Sequence, residues 1–332
     1  MRDNRTARLA YPAVSTDMFL GALPRSNQPF DVTQDRFKLS GDWRGAGSVK
    51  ASLGLDHDNR QRNYQEVVDT RETTLWARIG VQPRENLSLA LKLAHAQRDP
   101  SVYGTSVWID SPQNPLLRKF NLAERQRDSA GLRADLTVSE KVSLGLALDV
   151  ANDDYGLSAI GLTDARSANL GVDLSVALSE RTQLQLFAQG ERIRSQQAGS
   201  QTFAAADWRA RTTDRVEVLG LGIKHAAIVD KLDIGADIAF TRSKSDVAVD
   251  NGVGGPQFPR ASSALDSIKL FATYKLRDNL WLAGSFWYEE YSAQDWHLDG
   301  VLPATVSSLL AFGEQPPRYR VNVLRLVLRH RF

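Results

Sequence analysis

Five histidines are the first residues to test for chemistry: His57, His95, His225, His297 and His330. No two stand four residues apart and none belongs to an H-E-x-x-H, so their spacing builds no helical metal pair. The chain has no cysteine. That removes disulfides, thiolate metal sites, a thiol nucleophile and the C-x-x-C-H attachment of haem. The run DHDNRQRNYQEV at 56–67 begins like a calcium loop but lacks Gly at its sixth position and Glu at its twelfth, so it reads as a solvated loop. GVGG at 252–255 is followed by neither a helix nor a Lys and is no phosphate loop. No Ser/His/Asp arrangement stands out. Trp208 and Trp296, each beside an Asp, read as long loops packing on themselves. The chain therefore reads as no enzyme, with no metal and no covalently bound cofactor. Lys+Arg total 41 against 39 Asp+Glu, a net charge of +2, so bulk charge gives no drive toward nucleic acid.

The chemistry-bearing residues lie instead in alternating rows. Leu87, Leu89, Leu91 and Leu93 alternate with Ser88, Ala90, Lys92 and Ala94. Val142, Leu144, Leu146, Leu148 and Val150 alternate with Ser143, Gly145, Ala147 and Asp149. The same period of two recurs from Leu170 to Leu178, from Leu232 to Phe240 and from Leu324 to Leu328. A helix repeats near 3.6, so these are strands. Roughly thirteen can be counted, most of about 9–12 residues, the length of a tilted membrane strand. They begin near Phe37, Val49, Thr74, Leu87, Ala130, Val142, Leu170, Leu184, Val216, Leu232, Ile268, Leu280 and Val321. No helix is expected, and no domain boundary inside the barrel segment.

Short links (44–48, 82–86, 139–141, 179–183, 224–231, 277–279) alternate with long ones (57–73, 97–129, 151–168, 191–215, 241–267, 289–320). Tight periplasmic turns and larger outside loops give membrane barrels this asymmetry. The expected fold is all-β, an antiparallel transmembrane β-barrel with about 13–14 strands present. No apolar run approaches the ~18 residues of a membrane helix, but barrels cross with strands.

Parity sorts each strand into two faces. One carries Lys50, Arg78, Lys92, Arg133, Asp135, Asp149, Asp173, Asp233, Asp237, Arg325 and Arg329, expected to face the lumen and contact a partner. The other carries Leu89, Leu91, Leu144, Leu146, Leu324, Leu326 and Leu328, expected to face lipid. Its uniformity in Leu and Val suits hydrocarbon better than an interlocked core. Aromatics near strand ends suggest two interfacial girdles: Trp43, Tyr274, Trp281 and Phe332 beside short turns, Phe37, Phe240, Tyr288 and Tyr291 beside long loops. A large soluble β-protein with those leucines in a dry core is the competing reading.

Counting strand directions back from a periplasmic Phe332 puts residues 1–33 outside as an N-terminal loop segment, followed by barrel strands over 34–332. An odd strand count and a start that lacks a signal-peptide pattern lead us to expect the C-terminal part of a larger barrel, the rival being a complete chain in which Thr6 to Tyr11 form a fourteenth strand.

Five stretches are more specific than a generic barrel needs: RQRNYQEVVDTRETTLWARI (60–79), NPLLRKFNLAERQRD (114–128), NDDYGLSAIGLTDAR (152–166), RIRSQQAGSQTF with AADWRA (192–210) and WYEEYSAQDWHLDGV (287–301). In these the chain resembles the MtrB/PioB family of decahaem-associated outer-membrane β-barrels, in order, from about residue 30 to the end. The resemblance implies a bacterial outer-membrane sheath that houses a periplasmic decahaem or other multihaem c-type cytochrome. Electrons would cross through the partner's haem chain, with an extracellular multihaem cytochrome as a further partner at the surface. Haem would come only from the partner, lipid would surround the barrel, and nucleic acid would play no part. A general porin for small solutes is the alternative.

Overall fold

The structure, a computed structural model, describes residues 29–331 except 46–47, 105–112, 255–256 and 297–317, with isolated short stretches between residues 7 and 27. His297 and Phe332 lie outside the described residues. So does most of the N-terminal segment, of which two small ladders are described: Ala10–Tyr11 with Arg25–Ser26, and Ser15–Thr16 with Phe19–Leu20.

Thirteen long strands are described: β1 (Val32–Arg44), β2 (Lys50–Arg62), β3 (Asp69–Arg84), β4 (Leu87–Pro100), β5 (Arg125–Ser139), β6 (Val142–Asp154), β7 (Ile160–Ser179), β8 (Thr182–Gly199), β9 (Trp208–Ile228), β10 (Leu232–Asp250), β11 (Ala261–Arg277), β12 (Leu280–Gln294) and β13 (Arg318–His330). Each pairs antiparallel with its neighbour in the chain, and the order runs unbroken from β1 to β13. The short strand Leu117–Arg118 adds a parallel pair with Ile160–Gly161 and completes a 14-stranded sheet. No helix among the described residues is long and apolar enough to cross a membrane.

At one edge the strands turn back in two or three residues, as at Glu85–Asn86, Glu140–Lys141, Glu180–Arg181 and Asp278–Asn279. A register shift precedes five of these tight turns, in β3, β5, β7, β9 and β11. Such bulges sharpen the local twist where a strand must reverse. Asp230, in the β9–β10 turn, takes φ 56°, a left-handed conformation that Asp tolerates better than most residues.

The strands run 13–21 residues, longer than the 9–12 read from the sequence. The extra length lies at the other edge. Of the expected long loops, 57–73 shrinks to 63–68, 151–168 to 155–159, 191–215 to 200–207 and 241–267 to 251–260. The run at 56–67 is therefore mostly strand rather than a solvated loop, and its Glu66 and Val67 are buried. Beyond the apolar band both faces of a strand are polar, so hydrophobic alternation vanishes while the backbone ladder continues.

The small core lies at this long-strand edge. Val67, Ala96, Leu122, Ala123, Tyr155, Ile160, Ala198 and Ala210 are its buried apolar members. The leucine rows contribute none of them. Leu324, Leu326 and Leu328 are 75, 71 and 64 % exposed. A sheet whose apolar face packs on nothing among the described residues is the reverse of a soluble sandwich, in which that face is the core.

Candidate functional site: the charged face and its covered mouth

The register places all eleven charged residues singled out from the sequence on one face. Lys50 pairs with Gly80, Arg78 with Lys92, Arg133 with Ala147, and Asp135 with Gly145, which in turn lies opposite Asp173. Asp149 lies opposite Gly131, Asp233 opposite Ala226, Asp237 opposite Gly222, Arg325 opposite Ser285 and Arg329 opposite Trp281. The opposite face gathers Trp43, Leu89, Leu91, Leu144, Leu146, Tyr274, Leu324, Leu326 and Leu328. Two girdle aromatics are corrected. Trp281, paired with Lys275 and Arg329, stands on the charged face. Tyr291 does too, stacked on Tyr319 at 5.3 Å between ring centroids. Proximity to a turn could not assign a face; only parity along the strand does.

Several charges on this face form cross-strand pairs, while Arg78 lies opposite another cation, Lys92. Arg36 meets Asp58 at 2.9 Å, Lys38 meets Asp56 at 3.7 Å, Arg133 meets Asp149 at 2.7 Å and Lys224 meets Asp233 at 3.3 Å. Opposite charges on adjacent strands stabilise a sheet by tenths of a kcal/mol each, about 0.2–1. Glycines let other side chains lie flat across the neighbouring strand. A Cβ on Gly54 would collide with the Trp76 ring, one on Gly220 with Phe187 and one on Gly235 with Phe271. Lys92 in turn sits 5.7 Å over the Trp76 ring. The charged face thus also carries aromatics, which a reading of polar lining alone does not foresee.

Three shallow cavities gather the predicted residues. Arg78, Lys92, Arg133 and Asp149 share one of about 500 Å³ with Glu191. Arg325 and Arg329 share one of about 780 Å³ with Trp281. Asp237 lines a third of about 470 Å³ with Lys224 and Phe271. Lys50, Asp135, Asp173 and Asp233 line none of the three.

At the long-strand edge, residues 113–124 fold over the same face. Arg98 donates from Nε to the Ala123 carbonyl at 2.9 Å and from Nη2 to the Phe120 carbonyl at 2.5 Å. Arg127 grips Asp153 with two bonds of 2.7 Å. Arg125 reaches Glu72 at 2.9 Å and Asp153 at 3.7 Å. Lys119 pairs with the buried Glu66, and its backbone N–H donates to the Tyr103 hydroxyl at 3.1 Å. The Arg118 guanidinium lies 4.4 Å from the Tyr103 ring centre. Burial pushes the Tyr103 hydroxyl above its ordinary pKa of 10.0. Sequence reading missed this cluster because its members fall in what looked like three loops, 57–73, 97–129 and 151–168. The signal was present in Arg125 and Arg127, two residues apart and so on one face of a strand, but without an apolar row it could not be told from loop. Trp296 stacks on Phe258 at 4.4 Å, joining two connections at the same edge.

Among the described residues no three His, Asp or Glu converge as a metal-binding group. What the arrangement offers is a surface: an ion-paired wall, covered at one mouth.

Comparison with known proteins agrees with this geometry. The ferric preacinetobactin receptor BauA of Acinetobacter baumannii superposes with a TM-score of 0.52 at 11 % identity, over 90 % of this chain and 51 % of the receptor. The copper transporter OprC gives 0.52 at 10 % identity, over 86 % of this chain and 44 % of that one. Likeness at this identity speaks for the outer-membrane barrel fold. Outer membrane protein MtrB of Shewanella baltica is 29 % identical over 331 residues, 99 % of this chain and 47 % of that protein, so the chain spans about half the length of this relative. The MtrB/PioB outer-membrane β-barrel porin family matches residues 1–332. The chain, an all-β antiparallel sheet with an exposed leucine face and an ion-paired opposite face, belongs to the MtrB/PioB family of outer-membrane β-barrel porins.

Proposed function

We propose that this chain forms wall of a sheath through the outer membrane, with its leucine face toward lipid and its charged face around a periplasmic multihaem c-type cytochrome that carries electrons across. Hopping requires closely spaced haems, and a bare haem protein in a bilayer would put polar surface against hydrocarbon at a cost of several kcal/mol per unsatisfied group. A barrel wall removes that cost. The chain has no cysteine with which to attach haem itself, so in this reading the redox centres belong to the partner.

The observation that carries the reading is the pairing of charges within the wall. Because Arg36, Lys38, Arg133 and Lys224 each have a carboxylate on the adjacent strand, the wall can lie against a large mixed-charge protein surface without drawing in free ions. A pore that selects solutes by charge instead presents rings of one sign. Purification from native outer membranes in mild detergent tests this. The expected result is co-elution of a multihaem cytochrome, read by haem absorbance in fixed ratio to the barrel. A haem-free barrel that passes sugars in liposome swelling would overturn it in favour of a solute porin.

A further inference from the structure

The outer face changes character where its leucine rows end. On β7 and β8, Arg166 lies directly opposite Arg194, and on β8 and β9, Arg192 lies opposite Arg215. Arg215 is in turn opposite Lys244 on β10. All five share the face of Leu170, Leu186, Leu219 and Phe240 and stand toward the long-strand edge from them. All five are exposed, and among the described residues none has a carboxylate within ion-pair distance. The neighbouring acids are otherwise engaged or two residues away: Asp266 pairs with Arg242 and Asp246 with Arg260, Glu217 stands two residues along β9 from Arg215, and Asp164, with Asp154 opposite it, stands two residues along β7 from Arg166. Directly opposed residues bring their Cβ atoms to within about 5 Å, and like charges so placed are destabilising. Three such contacts across four strands are a surface built for an anion it does not itself supply.

The position says which anion. From Ala188, the last apolar residue of its row on β8 before Gly190, to Arg192 is four residues, about 13 Å of strand. In a tilted strand that height is the headgroup layer. Arginine pairs with phosphate through two parallel N–H bonds, and basic clusters at this level bind phosphorylated lipid heads. We infer that Arg166, Arg192, Arg194, Arg215 and Lys244 form a docking site for the phosphates of the outer-leaflet glycolipid, lipid A. This rests on the leucine face meeting lipid, as proposed above, and on the long-strand edge being the outside one, as the alternation of short and long connections implies.

The test uses the protein purified from its outer membrane and placed in phosphatidylcholine vesicles, with and without bisphosphorylated lipid A. The triple variant R192Q/R194Q/R215Q is compared with wild type and with R71Q, an outer-face cation outside the cluster. Wild type and R71Q should retain and rebind lipid A at least about tenfold more tightly than the triple variant, as three cations near a membrane surface warrant. Dephosphorylated lipid A and inorganic phosphate should not substitute. Equal lipid A retention by wild type and the triple variant, or full protection by inorganic phosphate alone, would overturn the site. A selective loss of an acidic protein partner with lipid A binding unchanged would overturn it too. A polarity-sensitive dye on Leu326→Cys separates the two claims: a water-like signal there sinks the lipid-facing assignment, whereas a hydrocarbon-like signal with unaltered lipid A binding sinks only the cluster.

Discussion

The charged face of β1–β6 and the far rim of the leucine face on β7–β10 both carry cations, and most of those with a cross-strand partner are settled differently on the two. On the charged face, Arg36, Lys38, Arg127 and Arg133 each meet a carboxylate on the next strand, and Arg78 opposite Lys92 is the exception. On the rim, Arg166 faces Arg194 and Arg192 faces Arg215. Both use the same cross-strand geometry, so the difference lies in which residue type occupies the paired position. An ion-paired surface can meet a partner of either sign; an uncompensated one selects for anions. The inner mouth goes further and closes over its charges with a small apolar core, whereas the rim leaves them open.

That contrast can be broken or sharpened at several points. The largest effect is expected at the covered mouth. Leu122 and Val67 are fully buried, so Leu122→Ala should destabilise the cover by about 2–5 kcal/mol. Amide exchange across 117–124 should then accelerate while the centre of β4 keeps its protection; unchanged exchange would mean that the cover is held by its ion pairs alone. Next, Leu326→Arg on the leucine row should cost about 2–4 kcal/mol of folding in a bilayer, and Val327→Arg on the adjoining charged face much less. Urea titration in vesicles compares them, and equal costs would erase the distinction between the faces.

A smaller effect separates two inner ion pairs. Arg127 holds Asp153, a buried residue, with two bonds, whereas Arg133 and Asp149 are both about half exposed. Double-mutant cycles should give a coupling of about 1.5–3 kcal/mol for the first, as for a hydrogen bond to a charged group, and under about 1 kcal/mol for the second. The reverse order would show that burial does not govern the wall. The smallest effect is a pH dependence. The Tyr103 hydroxyl is raised by burial above 10.0, so its contribution is complete below the unfolded value and is lost as pH climbs through the higher folded one. Protease resistance of 113–124 should therefore decline above pH 10 in wild type and persist further in Tyr103→Phe. Identical alkaline profiles would exclude Tyr103 as the titrating group.

Much of this was legible in the residues themselves. The strands that start at tight turns begin where alternation does: Leu87, Val142, Leu232 and Leu280 open β4, β6, β10 and β12 as expected. Strands that start at the other edge begin earlier than the pattern shows, as Ile160 does for an expected Leu170 and Trp208 for an expected Val216. Alternation of apolar with polar residues reports a difference between the two sides of a strand, and where water or folded loop meets both sides that difference disappears.

The sequence by itself determined which residues share a face, because a side-chain period of two is intrinsic to an extended backbone. Lys50 through Arg329 on one side and Trp43 through Leu328 on the other follow from counting, apart from Trp281 and Tyr291, where position near a turn was taken in place of parity. Only the tertiary structure decided which charges meet. Whether Arg133 finds Asp149 or Arg192 finds Arg215 depends on the register between strands, which is set by the turns and their bulges and lies outside any one strand's pattern. The same holds for the cover at the mouth, where residues 113–124 are held both by Arg98 of β4, through Ala123, and by Glu66 of the β2–β3 connection, through Lys119.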